Sequence, residues 1–398
     1  MHVLVIPSWY PRHIGDVSGS FFREQALALR KNGCKVGVIY PELLSLRSWR
    51  TFSPRKRGIQ MQCDAGIPTY RSHGMNWFPR LDRLASRLFV RHGQQLYKRY
   101  VEENGVPDII HAHSLLYGGV LANEIRKKYQ IPFVVTEHST AFARNLISSA
   151  GISVAAAAAS NAAMKFAVSE AFAKLLNESF ELGASLWTEM PNIVSENFLK
   201  VDLKRKKDLK EFVFLNVALM QEKKKQILIL EAFASIKKYH NEIRLTFVGD
   251  GPERKKIEKR SVELGIHADV KFTGLLTRDL VLQEMMGSDA FVLASSHETF
   301  GVVVIEALAL GIPVIATRCG GPESILREKD GVLIPTNDVD ALATAMEKVL
   351  ATRDDYDSDE IRKACASRYS ESSIAARLRL AYQSCVSEAA SPHAHEAK

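Results

Sequence analysis

The chain has 398 residues, too many for one ordinary core, so two domains are expected. With 46% hydrophobic and 25% charged residues it is globular, which excludes wholesale disorder. The net charge of +8 is uneven: residues 1–195 hold 23 Lys and Arg against 14 Asp and Glu, whereas residues 196–398 hold 30 against 31. The N-terminal half alone is therefore expected to meet an anionic partner.

The opening MHVLVIPSWYP has no basic leader and its apolar run stops at Pro7, so it does not read as a signal peptide. No run of about 20 apolar residues suggests a membrane span. Cys34, Cys63, Cys319, Cys365 and Cys385 are scattered, without a C-x-x-C pair, and read as reduced cytosolic thiols.

In chain order, HVLVI predicts a strand and residues 20–31 a helix closed by Gly33. KVGVIY, DIIHAH, PFVVTEH and KFAVS predict strands; helical patterns cover 118–129 and, after Ser169, EAFAKLLNESF. The second half repeats the alternation. FVFLNVAL, RLTFVG, VKFTG, AFVLAS, PVIAT and GVLIP predict strands, separated by helices at about 226–238, 252–264, 278–287, 300–310 and 338–350. Strands alternating with helices imply parallel sheets covered on both faces, here in two doubly wound domains. The boundaries expected are 1–195 and 196–369, followed by a helix at 370–387 that crosses back to the N-terminal domain and a disordered tail at 388–398.

Ligands of open α/β sheets bind at the carboxyl ends of strands. That rule selects Gly15, Ser18 and Gly19 after the first strand, His111 and His113, Glu137 and His138, Gly249 to Gly251, and His297 with Glu298. Two sheets facing each other by these edges would form a cleft, with His111 and His113 in its wall.

The stretch HETFGVVVIEALALGIPVIAT carries Glu298 and Glu306 in an otherwise apolar run. A carboxylate there is costly to bury without a partner. If the whole segment is helical, the two acids lie ~12 Å apart along the axis and ~80° around it, too far for an acid/base pair. They suit the two ends of an elongated ligand, with phosphate at the helix start between them. The plainer alternatives are that Glu298 only favours the helix start and that Glu306 forms a buried ion pair with a local Lys or Arg.

HETFGVVVIEALALGIPVIATRCGGPESI resembles the signature of family-four retaining glycosyltransferases of GT-B fold, of the bacterial polysaccharide or glycolipid type. LTFVGDGPERKKIEK, VKFTGLLTRDLVLQEMMGSDAFVLAS, MPNIV and IPSWYPRHIGDVSGSFFREQALALRKNG resemble further family segments in the same order. The resemblance implies an α/β GT-B chain of two Rossmann-like domains that moves a hexose-type sugar from a nucleotide diphosphate sugar, UDP- or GDP-linked, to a saccharide or lipid-linked saccharide. It implies that Glu298 binds hydroxyls of the transferred sugar, Glu306 binds ribose hydroxyls, and N–H groups around Phe300, Gly301 and Val302 hold the diphosphate. Gly19 would admit the loop of the first domain to the donor phosphate, and His138 would lie near donor sugar and acceptor. Gly249 would also lie in the donor site, and the base would be selected near Gly274, Leu276 and Arg278, largely by backbone.

One departure stands out. The family has an arginine shortly before a lysine at the opening of the second domain, both on the diphosphate. In FLNVALMQEKKKQILILEAF, Lys224 takes the lysine position, flanked by Lys223 and Lys225, but Leu219 stands at the arginine position and Ala218 at the glycine before it. A bidentate phosphate contact is thereby lost. No cofactor and no metal are expected: DDYDSDE and Asp338/Asp340 look like acidic helix starts, not a metal-binding Asp-x-Asp.

In PRLDRLASRLFVRHGQQLYKR, Arg80, Arg83, Arg87 and Arg91 share one helix side beside Leu81, Leu84 and Leu88. This pattern suits either an anionic membrane surface or an ordinary surface helix. SWRTFSPRKRG adds basic residues with Trp49 and Phe52. No nucleic-acid module is recognised. The expected location is cytoplasmic, or peripheral on the inner face of the cell membrane. Rival readings are a nucleotide-sugar 2-epimerase of the same fold and a non-catalytic nucleotide-sugar binder.

Overall fold

The computed structural model describes residues 1–13, 16, 19–45, 58–78, 81–180, 186–202 and 211–390. Gly15, Ser18, Arg80, the basic stretch with Trp49 and Phe52, and the tail from 391 lie outside the described residues. Chain contacts divide the molecule into two units, Met1–Asn192 with the residues from Glu371 onward, and Ile193–Ser370.

The first unit is built on β1 (His2–Pro7), β2 (Lys35–Ser45), β3 (Ile59–Asp64), β4 (Ile67–Asn76), β5 (Ile109–His113), β6 (Phe133–Glu137), β7 (Met164–Ala167) and β8 (Trp187–Glu189), ordered β3-β4-β2-β1-β5-β6-β7-β8. Every pairing is parallel except β3 with β4. All residues of β1, β5 and β6 are buried, as expected where helices cover both faces of a sheet.

The β3–β4 hairpin was not predicted. Its strand residues include Pro68 and Gly74, which weaken a strand reading, and β3 is mostly exposed. The chain reverses at Ala65 and Gly66, with φ of 47° and 83°, and Asp64 pairs with Ile67. Two positive φ values in a two-residue loop match the twist of the flanking strands. The helix Ser149–Asn161 was also not predicted; its run of alanines gives little periodic contrast but has high helix propensity.

The second unit carries β9 (Phe212–Val217), β10 (Ile243–Val248), β11 (Val270–Phe272), β12 (Ala290–Leu293), β13 (Val314–Thr317) and β14 (Gly331–Ile334) in the all-parallel order β11-β10-β9-β12-β13-β14. Phe214, Phe247, Val292 and Ile315 from its strands meet Leu230, Phe233, Leu342 and Met346 from its helices in one apolar core. Strand order reverses between β9 and β12, the switch point at which such sheets open a crevice. The two acidic stretches do begin helices: Asp338 accepts from the Ala341 N–H at 2.8 Å, and Asp357 accepts from the N–H groups of Asp359 and Glu360 at 2.9 and 3.0 Å.

The last helix, Glu371–Ala390, packs on the first unit. Lys31 pairs with Glu371 at 2.6 Å, and the Arg377 and Arg379 guanidiniums donate to the carbonyls of Glu189 and Asn32 at 2.9 Å each. The fully buried Tyr382 hydroxyl lies 2.6 Å from His111 Nδ1. Tyr382→Phe should leave that nitrogen buried without its partner and lower stability by about 1–3 kcal/mol. A urea midpoint equal to that of the parent would show that the contact carries no such energy.

Candidate functional site

The segment holding Glu298 is not one continuous helix. Glu298 forms a parallel bridge with Gly320, its N–H donating to the Cys319 carbonyl at 2.9 Å and its carbonyl accepting from the Gly321 N–H at 2.8 Å. The helix begins only at Val302, after Gly301 with φ of 113°, and ends at Ala309. The helix expected at about 300–310 is therefore present, two residues shorter at its start, and Glu298 lies before it. Backbone bonds fix Glu298, while the N-terminal N–H groups of Val302–Ala309 open after a residue without a side chain.

The Glu298 carboxylate receives the Ser295 hydroxyl at 2.7 Å and pairs with the Lys224 ammonium. Lys224 reaches it from the loop after β9, where Lys223 is tied by its carbonyl to the Ser296 N–H at 2.8 Å and Lys225 adopts φ of 54°. Ser295 is a partner that sequence reading missed; its place three residues before Glu298, at a strand end, is the signal that could have found it. Leu219 stands on the same loop, half-exposed. That loop lies against the next one: a Cβ at Gly249, whose φ is 134°, would stand 2.0 Å from the Ala218 carbonyl oxygen, and one at Gly251 2.3 Å from that of Met220. Gly249 in turn donates to the Gly274 carbonyl at 2.9 Å. Glycine at these places is a steric requirement of loop contact.

Glu306 is buried and meets the Arg278 guanidinium at 2.6 Å. Burial pushes its carboxyl above the usual range, and the arginine pulls it back. Arg278 opens the helix Arg278–Met286 and stacks its guanidinium 5.7 Å from the Phe198 ring centre; Leu276 lies just before that helix, half-buried. Phe300 turns its ring inward against Tyr369, leaving only its backbone for a ligand. Within this unit, then, Lys224 meets Glu298, Arg278 meets Glu306, and Gly249 meets Gly274.

Gly19 and His138 belong to the first unit. Gly19 sits at φ 74° before the helix Ser20–Lys31, and a Cβ there would press on Trp9 at 2.9 Å. His138 Nε2 lies 3.1 Å from His113 Nδ1, with the rings of Phe21 and Phe22 packed beside it. His111 and His113, expected in a cleft wall, are instead fully buried. The sheet face they share lies under the last helix, which supplies Tyr382. Burial lowers His111 to about 3 and pushes His113 and His138 well below their ordinary value, so all three are neutral near pH 7. Glu137, read as a cleft residue, is likewise buried. It is structural, accepting from the N–H groups of Leu115, His138 and Ser139 at 2.7–2.8 Å. Burial raises its carboxyl and these bonds lower it.

All five cysteines are free thiols, and burial pushes Cys319 up to about 12. Among the described residues no cluster of three or more His, Cys, Asp and Glu is arranged for a metal ion, and no helix is long and apolar enough to cross a membrane.

Comparison with known proteins places both units. Residues 18–197 match the family described as Glycosyltransferase Family 4, and residues 200–368 match Glycosyl transferases group 1. TuaC of Bacillus subtilis (strain 168), a glycosyltransferase provisionally assigned to teichuronic acid biosynthesis, is 27% identical over 368 residues, 87% of this chain and 89% of that one. Among solved structures, sucrose-phosphate synthase from Thermosynechococcus elongatus superposes with a TM-score of 0.78 at 21% identity, covering 97% of this chain and 99% of its own. Anabaena HepE in complex with UDP follows with a TM-score of 0.74 at 18% identity, covering 96% and 100%.

Arg278→Met should destabilise the second unit by about 1–3 kcal/mol near neutral pH, a buried-pair loss discounted for the partial exposure of the arginine. The sign with pH follows from Glu306. Its folded pKa is raised, so between the unfolded value of about 4.3 and the folded one the native state holds the extra proton, and stability falls as pH rises. Removing Arg278 raises the folded value further, so the deficit should be larger at pH 7.5 than at pH 5 in urea titrations. Equal deficits would refute the assignment.

Proposed function

Given that the chain belongs to the family-four glycosyltransferases of GT-B fold, we propose that it moves a hexose-type sugar from a nucleotide diphosphate sugar to a saccharide or lipid-linked saccharide, with retention and without a metal ion. The observation that carries this reading is the Lys224–Glu298 pair beside the glycine-headed start of Val302–Ala309. A cation, a carboxylate and free N–H groups converge there. The donor diphosphate lies on the N–H groups of Phe300, Gly301 and Val302, with Lys224 meeting its developing charge. Glu298 accepts from hydroxyls of the sugar. Glu306, held by Arg278, accepts from the ribose hydroxyls. Gly249, Gly274, Leu276 and Arg278 frame the base.

The bond from the anomeric carbon to the diphosphate oxygen breaks, and the diphosphate leaves with the electron pair. The acceptor hydroxyl gives its proton to that leaving oxygen and bonds the anomeric carbon on the same face. UDP- and GDP-sugars are the first donors to screen. The HepE chain was solved with UDP, and thermal shift detects a ligand that binds only the folded state.

Glu298→Ala should lower kcat for transfer by about 100- to 1000-fold, the range for losing one group aimed at the reacting centre, while the donor still shifts Tm. Transfer near the parent rate would sink the role given to Glu298. Activity should survive EDTA; its loss, with recovery on adding Mg²⁺ or Mn²⁺, would overturn metal independence. A donor converted without any acceptor would mark an isomerase instead.

A further inference from the structure

We propose that Glu323 is a positioning residue for the transfer reaction, acting on Glu298 through the one peptide group that joins Cys319 to Gly320. Glu298 is taken in the role proposed above, on which this assignment rests. The carbonyl of that peptide accepts the Glu298 N–H at 2.9 Å. Its N–H, on Gly320, donates to both oxygens of the Glu323 carboxylate, at 3.1 and 3.0 Å. A continuous line of hydrogen bonds thus runs from the Glu323 carboxylate through one peptide to the Glu298 backbone. A charged acceptor on a peptide N–H polarises that peptide and strengthens the bond its carbonyl accepts.

Glu323 is the third residue of the helix Gly321–Ile325, a place from which glutamate commonly reaches back to the cap N–H. Two features give the contact a further consequence here. The cap residue is Gly320, which has no side chain to return the bond and sits at φ 115° and ψ −77°. Glycine populates both signs of φ, so the peptide before it is free to turn unless something holds its N–H. The two Glu323 bonds select the one orientation in which the Cys319 carbonyl faces Glu298. The opening of this short helix is moreover spent on Glu298. Gly321 N–H donates to the Glu298 carbonyl at 2.8 Å, and Pro322 has no N–H to offer.

The other end of the helix is fixed. The Arg368 guanidinium donates to the carbonyls of Ser324 and Ile325 at 2.7 and 2.8 Å, and Ile325 is fully buried. Glu323 therefore holds the Cys319–Gly320 peptide from an anchored base. The charges of Glu298, Glu323 and Lys224 all bear on the Cys319 thiol, so the contact lies beside the ion pair it serves. Loss of the Glu323 carboxylate frees the peptide, and the Glu298 carboxylate loses its aim at Ser295 and Lys224. Misplacement by about 1 Å near a reacting centre can cost ~100-fold in rate.

The test combines kinetics with structure, using the full chain and UDP-glucose or GDP-mannose, whichever raises Tm. Glu323→Leu should lower kcat for nucleotide release by about 10- to 100-fold while the donor KM stays within about twofold. Glu323→Gln keeps one acceptor oxygen and should recover most of that loss; Glu323→Ser stands in if the leucine variant does not fold. In a Glu298→Ala background, Glu323→Leu should cost no more than about twofold further, because the group it positions is gone. The crystal structure of Glu323→Leu, which needs no substrate, should show the Cys319–Gly320 peptide turned and the Glu298 carboxylate moved from Lys224. Four outcomes overturn the proposal: an unchanged kcat, a loss confined to KM, the full loss repeated in the Glu298→Ala background, or a Glu298 carboxylate that has not moved. Parental transfer by Glu298→Ala alone would instead remove the role given to Glu298, while the crystal structure still reports whether Glu323 sets its position.

Discussion

Parallel strand pairing releases the chain at the same edge of the sheet every time, and the candidate site of the second unit is a consequence of that constraint. The loop after β9 brings Lys224, the loop after β10 brings Gly249, the turn after β11 brings Gly274, and the loop after β12 brings Glu298. Residues up to 74 apart in sequence meet because each strand ends on the same side of the same sheet. The order β9 beside β12 adds the local opening, since the helices that follow them depart to opposite faces. The first unit obeys the same rule separately: Gly19 follows β1 and His138 follows β6.

Meeting at an edge is not enough, because peptide backbones with side chains cannot approach as closely as these loops do. A Cβ at Gly321 would stand 1.9 Å from the Phe300 carbonyl oxygen, and the one at Gly320 2.6 Å from that of Glu298. The glycines after β13 therefore let that loop hydrogen-bond both sides of the Glu298 peptide. With its backbone held, Glu298 loses little further freedom when its carboxylate engages Ser295 and Lys224. Pre-organisation of this kind is what a site needs if its charges are to act without rearranging.

Strands buried on both faces write continuous apolar runs, so HVLVI, RLTFVG or AFVLAS could be placed from sequence alone. The two glutamates were conspicuous for the same reason, being charges in apolar surroundings. Their partners were not visible. Arg278 lies 28 residues before Glu306, on a separate helix, and its long side chain joins the carboxylate only in the folded unit. Strand parity puts His111 and His113 on one face, but that face is closed by Tyr382, 271 residues later, and no local pattern announces such a cover. The β3–β4 hairpin hid because Ala65 occupies a turn position where asparagine or glycine would have signalled it.

The two ion pairs differ in a way that matters for a phosphate ligand. Arg278 and Glu306 face each other with the carboxylate buried, and separating them would strand a charge away from water. Lys224 and Glu298 are about as well covered, with 18% and 11% of their side chains exposed against 31% and 8% for Arg278 and Glu306, so the difference lies in the cation. A primary ammonium swings on a flexible stem, whereas a guanidinium is bound in a fixed plane. On the proposed reading, an arriving diphosphate outbids one carboxylate for the Lys224 ammonium, since it carries more charge. Glu298 is then left with lone pairs to accept from hydroxyls of the sugar attached to that diphosphate. Leu219 makes this exchange weigh more, because the loop offers no arginine there to share the phosphate, and the charge on Lys224 must serve first the empty site and then the filled one.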